Sequence, residues 1–429
     1  MGEKLQESIL AVTREVQAGL DETLGKFKGE AAERRRLHNL VLTLKGNIRV
    51  FCRVRPMAGP EREAGKAVAV MTPTDTDLSI TSAGKITPYN FDKVFGTEST
   101  QDQVFTETAP LVVSVLDGYN ICIFAYGQTG SGKTHTMEGN VDDRGVNWRT
   151  LDMLFNQAEE RRRIAKYSFK VSLMEIYNEQ IKDLLETTDA SGEIKKLEVK
   201  SDPATGGTQV PDLHLASVSC IEDVQQLVAF GMKNRSTSAT NMNAHSSRSH
   251  CIFSVHVTCE DLLKSVTSFG KMHLIDLAGS ERLSRTGATG DRLKEAQNIN
   301  KSLSALGNCI SALAAKQKHV PFRDSRLTHL LQDSLGVESK MLMFVCTSPC
   351  DSDATETSCS LQFAARAAAV ELGTAKKRGD NGAGVMLRDA QAGMNEAKEK
   401  ARAAEDRSER LEEDLLKAKA GAPHLKPRP

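Results

Sequence analysis

Residues 127–134 read GQTGSGKT, a pattern in which glycines surround a lysine and a hydroxyl residue. The glycines let successive backbone N–H groups turn inward around phosphate oxygens. Lys133 brings positive charge to the β- and γ-phosphates, and the Thr134 hydroxyl suits a Mg²⁺ ligand. Residues 121–126 form an apolar stretch leading into the loop, and a helix opening near Thr134 favours phosphate at its N-terminus. This context predicts nucleoside triphosphate binding and disfavours a glycine-rich turn without a ligand. The candidate nucleotide-binding residues of the loop are Gly127, Gln128, Thr129, Gly130, Ser131, Gly132, Lys133 and Thr134.

A phosphate loop by itself predicts an NTPase and leaves its kind open. Three further blocks carry groups suited to phosphoryl transfer. They are residues 53–56 (RVRP), 243–250 (NAHSSRSH) and 276–281 (DLAGSE). The last block follows an apolar strand and supplies two carboxylates, Asp276 and Glu281, with Gly279 between them. The middle block is dense in hydroxyls and carries one fixed cation, Arg248.

The spelling and order of these blocks resemble the kinesin motor domain, in which two of them are switch loops and RVRP lies on the adenine side. The resemblance covers roughly residues 37–373. It implies a microtubule-stimulated ATPase that uses ATP/ADP and Mg²⁺ and binds tubulin, in the cytoplasm on the microtubule cytoskeleton, the spindle included. Similar runs are residues 91–95 (FDKVF), 175–179 (EIYNE), 298–307 (NINKSLSALG) and 320–326 (VPFRDSR).

The resemblance also implies a role for each matching residue. Arg248 and Glu281 form a latch over the γ-phosphate, which Gly279 contacts, and the latch orders the attacking water. Such positioning is what phosphoryl transfer needs most. The alternative for this pair is a plain surface ion pair worth ~0–1 kcal/mol. The implied catalytic residues are Arg248, Glu281, Ser247, Gly279 and Lys133. The implied Mg²⁺ ligands are Thr134 and Ser247, with Asp276 holding the ion through water. Further implied nucleotide-binding residues are Arg53, Arg55, Pro56, His135, Asn243 and Ser246.

The sequence predicts strands and helices that alternate along the chain. Apolar, β-branched stretches alternate with polar segments of helical character and turn-rich links, which favours a central sheet covered by helices on both faces. The resemblance specifies an α/β P-loop NTPase fold with a central mixed β-sheet and flanking N- and C-terminal helices. The predicted strands are residues 48–52, 121–126, 169–176, 251–257 and 272–275.

The overall composition argues against several classes of protein. Lys plus Arg and Asp plus Glu each number 56, so the formal net charge is +0, and a nucleic-acid binder is more often basic. The nine cysteines include no C-x-x-C pair, which argues against a disulfide framework or a zinc site. No apolar run approaches the ~20 residues that cross a bilayer. We therefore expect neither nucleic-acid binding nor membrane insertion.

The chain divides into five predicted segments. Residues 1–46 form a helical neck in which apolar residues recur at steps of four and three, with glycines interrupting the seam. That pattern fits a partial coiled coil joining a homodimer, or one amphipathic helix packed on its own domain. Residues 47–373 form the motor domain and 374–384 a linker. Residues 385–420 form a charged, Ala-rich helix that docks on the motor, binds a regulator or partner helix, or dimerises, and 421–429 a disordered tail.

A basic strip follows the DLAGSE block. Few carboxylates interrupt it, and kinesins meet the acidic tubulin surface at this point in their sequence. A solvated charged face is the ordinary alternative, and DNA binding fits poorly because no reader motif accompanies the charge. The candidate microtubule contacts are Lys301, Lys316, Lys318, Arg323 and Arg326.

The segment before the first strand resembles the neck of the C-terminal-motor kinesins, class fourteen, which move toward the microtubule minus end. After the core, Ala367 and Ala368 stand where that class usually has Val-Asn, which bears on coupling between neck and core. We expect a minus-end-directed motor. The alternatives are an ATP-regulated microtubule crosslinker without processive motion, and a plus-end or depolymerising kinesin. With only about 45 residues before the core, the chain fits a fragment of a longer protein.

Overall fold

The structure is a computed structural model that describes residues 13–14, 16–19, 23, 25–26, 29–30, 33–37, 39–42, 48–186, 196–201, 207–237, 247–262, 266–282, 291–336 and 339–371. The chain divides into two units, residues 1–201 with 208–379 and residues 202–207 with 380–429. Apart from residue 207, all the described residues belong to the first unit. The predicted linker, Ala-rich helix and tail lie outside the described residues, as do Asn243 and Ser246. Within the described residues no helix is long and apolar enough to cross a membrane.

Fourteen strands and eight helices are described after the N-terminal segment, in chain order. The strands are β1 Ile48–Val54, β2 Val70–Met71, β3 Asp77–Ser82, β4 Lys85–Asn90, β5 Lys93–Phe95, β6 Asn120–Tyr126, β7 Ala165–Tyr177, β8 Gln180–Asp183, β9 Lys200–Ser201, β10 Thr208–Gln209, β11 Ala216–Val218, β12 His250–Asp261, β13 Val266–Asp276 and β14 Ser339–Thr347. The helices are α1 Gly59–Glu63, α2 Gln101–Leu116, α3 Lys133–Met137, α4 Val146–Glu160, α5 Ile221–Thr237, α6 Asp291–Ala314, α7 Arg326–Leu330 and α8 Ala354–Ala368. Short 3-10 turns occupy Phe322–Asp324 and Asp351–Asp353.

Nine strands form one mixed sheet in the order β11-β7-β12-β13-β6-β14-β1-β5, with β8 paired to β7. Strands β13, β6, β14, β1 and β5 run parallel, whereas β12 pairs antiparallel with both β13 and β7. The central strands β1, β6 and β14 are buried along their whole length, as expected for parallel strands covered on both faces. All five predicted strands are confirmed, and each is at least one residue longer than the apolar run alone indicated.

The helices lie on both faces of this sheet, which confirms the predicted layers. One apolar core packs α6, α7 and α8 against the sheet through residues such as Leu306, Leu327 and Leu361. The other packs α2, α4 and α5 through residues such as Val112, Leu154 and Val224. The fold is therefore a three-layer α/β structure.

The strand pairing gathers the sequence blocks at one edge of the sheet. Asp276 at the end of β13 pairs in register with Ala125 near the end of β6, and Arg53 on β1 pairs with Cys346 on β14. Antiparallel β12 begins at His250 on the same edge. Ligands in open α/β sheets bind outside the carboxyl ends of the parallel strands, and the phosphate loop follows β6 there. The fold thus brings all the described parts of the four blocks together.

The described residues of the N-terminal segment between 13 and 42 are helical. Asn39 and Leu42 are buried on the core, whereas Leu37, Leu40 and Val41 remain between 42% and 50% exposed. The last described turn of this segment therefore packs on its own domain and leaves an apolar side uncovered.

Candidate nucleotide site

The phosphate loop turns sharply between the end of β6 and the start of α3. Gly127 has φ +149°, and a Cβ there would lie 2.2 Å from the backbone oxygen of Cys346, so only glycine fits. Gly132 has φ +99° and caps the N-terminus of α3. These two glycines let the chain pass from a buried strand into a helix within six residues.

Lys133 lies inside the loop and is almost completely buried. Its Nζ donates to the backbone oxygens of Gly127 at 2.8 Å and of Gln128 at 3.0 Å. Burial lowers the pKa of the Lys133 ammonium, and attraction by Asp276 and Glu281 opposes that shift. The ammonium is therefore held by neutral carbonyls that an incoming phosphate can replace.

Thr134 and Asp276 meet at the candidate metal site. The Thr134 hydroxyl donates to Asp276 Oδ2 at 2.5 Å, while Asp276 Oδ1 is buried and has no hydrogen-bond partner among the described residues. Burial raises the pKa of the Asp276 carboxyl, opposed by Lys133 and Thr134. Described residues contain no cluster of three or more His, Cys, Asp or Glu that could hold a metal. A hydroxyl and one carboxylate fit Mg²⁺, because Mg²⁺ usually takes few protein ligands besides water and substrate phosphates.

The carboxylate of Glu281 lies on the phosphate loop. It accepts from the Thr129 amide at 2.8 Å and from the Thr129 hydroxyl at 2.6 Å. Gly279 lies beneath this contact: its N–H donates to the Ser247 backbone oxygen at 2.8 Å, and a Cβ on it would lie 2.2 Å from Glu281 Oε2. A side chain at position 279 would displace the Glu281 carboxylate and the Thr129 hydroxyl, so the present contact between them depends on glycine.

Arg248 points to a different partner from the one expected. Its Nη1 donates to Glu295 Oε2 at 3.2 Å, and Glu295 Oε1 accepts from the Tyr177 hydroxyl at 2.9 Å. The expected pair of Arg248 with Glu281 is not formed in this structure, because each residue is engaged elsewhere. Glu295 is nine-tenths buried on α6, so the arginine is tied to that helix.

A cavity of about 200 Å³ lies beside the loop on the predicted adenine side. Arg53, Arg55, Pro56 and His135 all line it, as expected. The Arg53 guanidinium, however, is buried and donates to Gln101 Oε1 at 2.7 Å and to Thr136 Oγ1 at 3.1 Å, so it braces α2 and α3. Burial and the nearby Arg53 charge lower the pKa of His135.

Arg55 connects the cavity to the loop. Its Nε donates to the backbone oxygen of Gly130 at 2.7 Å, and its guanidinium forms a two-pronged ion pair with Glu61, whose closest atoms are 2.5 Å apart. The hydrogen bonds from Arg55 lower the pKa of the Glu61 carboxyl to about 2. The second arginine of the RVRP block therefore orients the loop backbone.

Sequence reasoning missed a buried network behind the middle block. Arg235 on α5 donates to Glu175 Oε1 and to Ser249 Oγ, both at 3.0 Å, and Ser249 donates to the same Glu175 oxygen at 2.6 Å. It also missed Glu295 and Tyr177 as partners of Arg248. Glu175 and Tyr177 fall within the EIYNE run, which resembles a run of the kinesin family by its spelling alone. No local pattern indicated what these residues contact.

The candidate filament contacts lie on α6 and the elements packed next to it. Lys301 is exposed on α6, Lys318 lies beyond its end, and Arg323 is exposed on the 3-10 turn. Lys316 pairs with Glu371 at 2.9 Å, and Arg326 with Glu198 at 3.2 Å. Four of the five cations are thus exposed, and two of the five, Lys316 and Arg326, already have a carboxylate neighbour.

Comparisons with known proteins agree with this geometry. A family model described as the kinesin motor domain matches residues 53–370. The chain is 52% identical over 361 residues to a kinesin-like protein KIN-14R of Oryza sativa subsp. japonica, covering 83% of the chain and 36% of that protein. It is 47% identical over 393 residues to a kinesin-like protein KIN-14R of Arabidopsis thaliana, covering 91% of the chain and 36% of that protein. The chain therefore spans little more than a third of the length of these relatives.

Solved structures agree on the fold. One is described as the C-terminal motor and motor homology domain of Kar3Vik1 fused to a synthetic heterodimeric coiled coil. It matches with a TM-score of 0.75 and 38% identity, covering 85% of this chain and 97% of that one. Another, a KIF14 dimer with AMP-PNP in complex with a microtubule, matches with a TM-score of 0.71 and 34% identity, covering 77% and 96%. The resemblance to class-fourteen kinesins is confirmed by the relatives' names, and the chain belongs to the kinesin motor-domain family of P-loop ATPases.

Proposed function

We propose that this chain couples ATP hydrolysis to movement along microtubules, toward the minus end. The observation that carries the proposal is the position of Glu295. This carboxylate belongs to α6, the helix that also carries Lys301, and it holds Arg248 of the nucleotide site at 3.2 Å. One helix therefore connects a candidate filament contact with a residue that must move when the site closes.

The ATPase cycle follows from the partners that Arg248 and Glu281 have now. Closing the latch over ATP requires Arg248 to leave Glu295 and Glu281 to leave Thr129. Phosphate release reverses both exchanges, which makes the site a two-state element. In the closed state, the latch orders the attacking water and Lys133 supports the transferred phosphoryl group.

Mg²⁺ enters the proposal through residues that are already close together. Thr134 and Ser247 would hold the ion directly, and Asp276 would hold it through water. When bound, Mg²⁺ neutralises charge on the ATP phosphates. Asp276 Oδ1, buried beside Thr134 and without a hydrogen-bond partner among the described residues, is the feature of this chain that supports such a site.

Microtubule binding is supported by the basic strip and by the neighbour solved on a microtubule. Lys301, Lys318 and Arg323 offer exposed cations, and Lys316 and Arg326 would exchange their present carboxylate partners for tubulin. Association of this kind weakens as salt screens the charges. In line with the family resemblance, we propose cytoplasmic microtubules, those of the spindle included, as the partner.

Minus-end direction rests on how the neck segment meets the core. Asn39 Nδ2 donates to Asp117 Oδ2 at 3.1 Å, and the buried Lys340 ammonium donates to Asn39 Oδ1 and, at 3.1 Å, to Ser114 Oγ. Lys340 lies near the start of β14 and pairs in register with Ile121, near the start of β6, the strand that ends at the phosphate loop. A neck packed at the opposite end of these strands is suited to act as a lever. The exposed Leu37 and Leu40 would join two necks in a homodimer.

A second candidate is an ATP-regulated microtubule crosslinker without processive motion. The observation that favours it is the pair Ala367 and Ala368, of which the first is buried on α8 and the second exposed. Alanine has no side-chain group to hydrogen-bond a neck, so the coupling across this surface is weaker than the class pattern implies. In that case, ATP turnover would only regulate attachment.

Gliding of polarity-marked microtubules over surface-bound protein with ATP distinguishes these functions. Movement with plus ends leading supports the minus-end motor. Movement with minus ends leading contradicts the proposed direction and the lever role of the neck. Tethering without movement, despite ATPase activity stimulated by microtubules, favours the crosslinker.

A further inference from the structure

His250 joins three elements through hydrogen bonds buried in the core. It is the first residue of β12, and its Nδ1 accepts from the backbone N–H of Ala278 at 3.0 Å. Its Nε2 lies 2.8 Å from Ser302 Oγ on α6, and that hydroxyl donates to the Ile299 backbone oxygen at 2.7 Å. His250 and Ser302 are at most 2% exposed.

The direction of each hydrogen bond fixes the form of the imidazole. The Ala278 amide can only donate, so Nδ1 is the acceptor and the proton is on Nε2. The Nε2–H then donates to Ser302, whose own proton goes to Ile299. Every donor in this series of hydrogen bonds has one acceptor, which requires a neutral imidazole ring. Burial lowers the pKa of His250 to about 3, in agreement with that arrangement.

The hydrogen bond between His250 and Ser302 lies next to the ion pair between Arg248 and Glu295 along α6. Glu295 and Ser302 are seven residues apart, so they lie on the same side of the helix two turns apart. Arg248 and His250 are two residues apart on the segment that faces α6. The Arg248–Glu295 pair is partly exposed and has an alternative partner in Glu281, whereas the His250–Ser302 bond is buried. One contact can therefore exchange while the other stays.

We propose that His250 is a positioning residue, a fixed pivot that makes residues 277–281 and helix α6 move together. The inference rests on the proposed function and deepens it. The pivot sets how strongly nucleotide and microtubule influence each other's binding. By linkage, the ratio of microtubule affinities in two nucleotide states equals the ratio of nucleotide affinities with and without microtubules. That ratio measures coupling, whereas a role in stability alone would leave it unchanged.

The test removes the hydroxyl on α6 and leaves the histidine intact. Ser302→Ala takes away the acceptor of Nε2–H. Ser304→Ala is the matched control, because Ser304 is exposed on the same helix. Ser302→Thr keeps a hydroxyl and serves as the conservative variant. For each protein, the dissociation constant for microtubules is measured with Mg-ADP and with Mg-AMP-PNP, and the unfolding midpoint is recorded.

We expect Ser302→Ala to bring the microtubule dissociation constants in Mg-ADP and in Mg-AMP-PNP closer together, reducing their ratio at least about fivefold. A change of this size is expected for loss of one buried hydrogen bond. Ser304→Ala should keep the wild-type ratio, and Ser302→Thr should recover most of it. A Ser302→Ala protein with a lowered unfolding midpoint and an unchanged ratio would show that the bond only stabilises the fold, which overturns the inference.

A second measurement does not depend on microtubules. Hydrogen exchange of the Ala278 amide reports whether the imidazole still accepts from it. His250→Asn, which cannot reach both partners, should speed this exchange at least about tenfold relative to wild type without microtubules. Unchanged Ala278 exchange contradicts the pivot. If wild type does not bind microtubules, the proposed function fails, and rapid Ala278 exchange in His250→Asn would still establish the link between the loop and His250.

Discussion

Glu281 holds the phosphate loop by its carboxylate, which accepts from both the amide and the hydroxyl of Thr129 at 2.8 and 2.6 Å. Amides of such a loop bind anions, so a carboxylate of the protein occupies a donor otherwise open to phosphate. At the same time Arg248 is held by Glu295. The two expected members of the latch therefore each have another partner, and closing the site requires both contacts to exchange.

The Thr129 hydroxyl should slow closing of the site. Thr129→Val removes that hydrogen bond to Glu281 and leaves the amide bond, so we expect ATPase without microtubules to rise about threefold to tenfold, in line with ~1 kcal/mol of lost ground-state stabilisation. Steady-state phosphate release measures the rate. Thr129→Ser keeps the hydroxyl and should stay within about twofold of wild type. Equal rates for the Val and Ser variants would contradict this role.

Glu281 and Glu295 should respond oppositely to removal of their charge. Glu281→Gln weakens the closed latch, and we expect ATPase to fall about 100-fold, as when one preorganised transition-state group is lost. Glu295→Gln releases Arg248 from α6 and should raise ATPase without microtubules while reducing stimulation by them. Both rates come from the same phosphate-release assay with fluorescent-nucleotide affinity as the control. A decrease of the unstimulated rate in both variants would count against the partner exchange.

Asp276 should set the affinity for Mg²⁺. Asp276→Asn keeps the size of the side chain and an acceptor for Thr134 but removes the charge, so we expect about ten times more Mg²⁺ for half-maximal nucleotide retention. Titration of ADP release against free Mg²⁺ measures this. Asp152→Asn, at an exposed position on α4, is the matched control. An unchanged Mg²⁺ requirement would exclude Asp276 from the metal site.

Asn39 should couple the neck to the core. Asn39→Ala leaves Lys340 and Asp117 without one buried partner each, so the packed neck loses about 1–3 kcal/mol of stabilisation. We expect gliding velocity to fall several-fold while microtubule-stimulated ATPase stays within about twofold. Arg34→Ala, at an exposed position of the same helix, is the control for helix content. A parallel loss of velocity and ATPase would show that Asn39 acts on the core as a whole.

Lys340 should make stability depend on pH. Burial lowers the pKa of its ammonium from 10.5 to about 8, opposed by Asp117. Between pH 8 and 10.5 the unfolded chain therefore binds more protons than the native state, and the free energy of unfolding rises with pH, by at most about 3 kcal/mol. Below pH 8 the cost of burying the charge is fully present. Denaturant unfolding of wild type and Lys340→Met across this range checks the slope, which the Met variant should lack.

Sequence alone predicted the parts of the site that depend on short stretches of chain. The phosphate loop needs glycines, a lysine and a hydroxyl within eight residues, and its strand and helix are local patterns. The DLAGSE block likewise specifies a carboxylate at a strand end and a glycine beside it. The α/β class follows from alternation of apolar runs, and the family's motifs supplied the order of the blocks.

Tertiary structure decided which side chains meet. Glu281 reaches Thr129 across 152 residues, Arg248 reaches Glu295 across 47, and Lys340 reaches Asn39 across 301. The family resemblance implied a pair of Arg248 with Glu281, and both side chains have other partners here. Helical periodicity places Ser302 on the apolar side of α6 and Ser304 away from it, but only the packing of remote segments brings the Ser302 hydroxyl to His250. Local patterns determine backbone form and residue chemistry; the choice among competing partners depends on burial and distance, which arise only when remote segments pack.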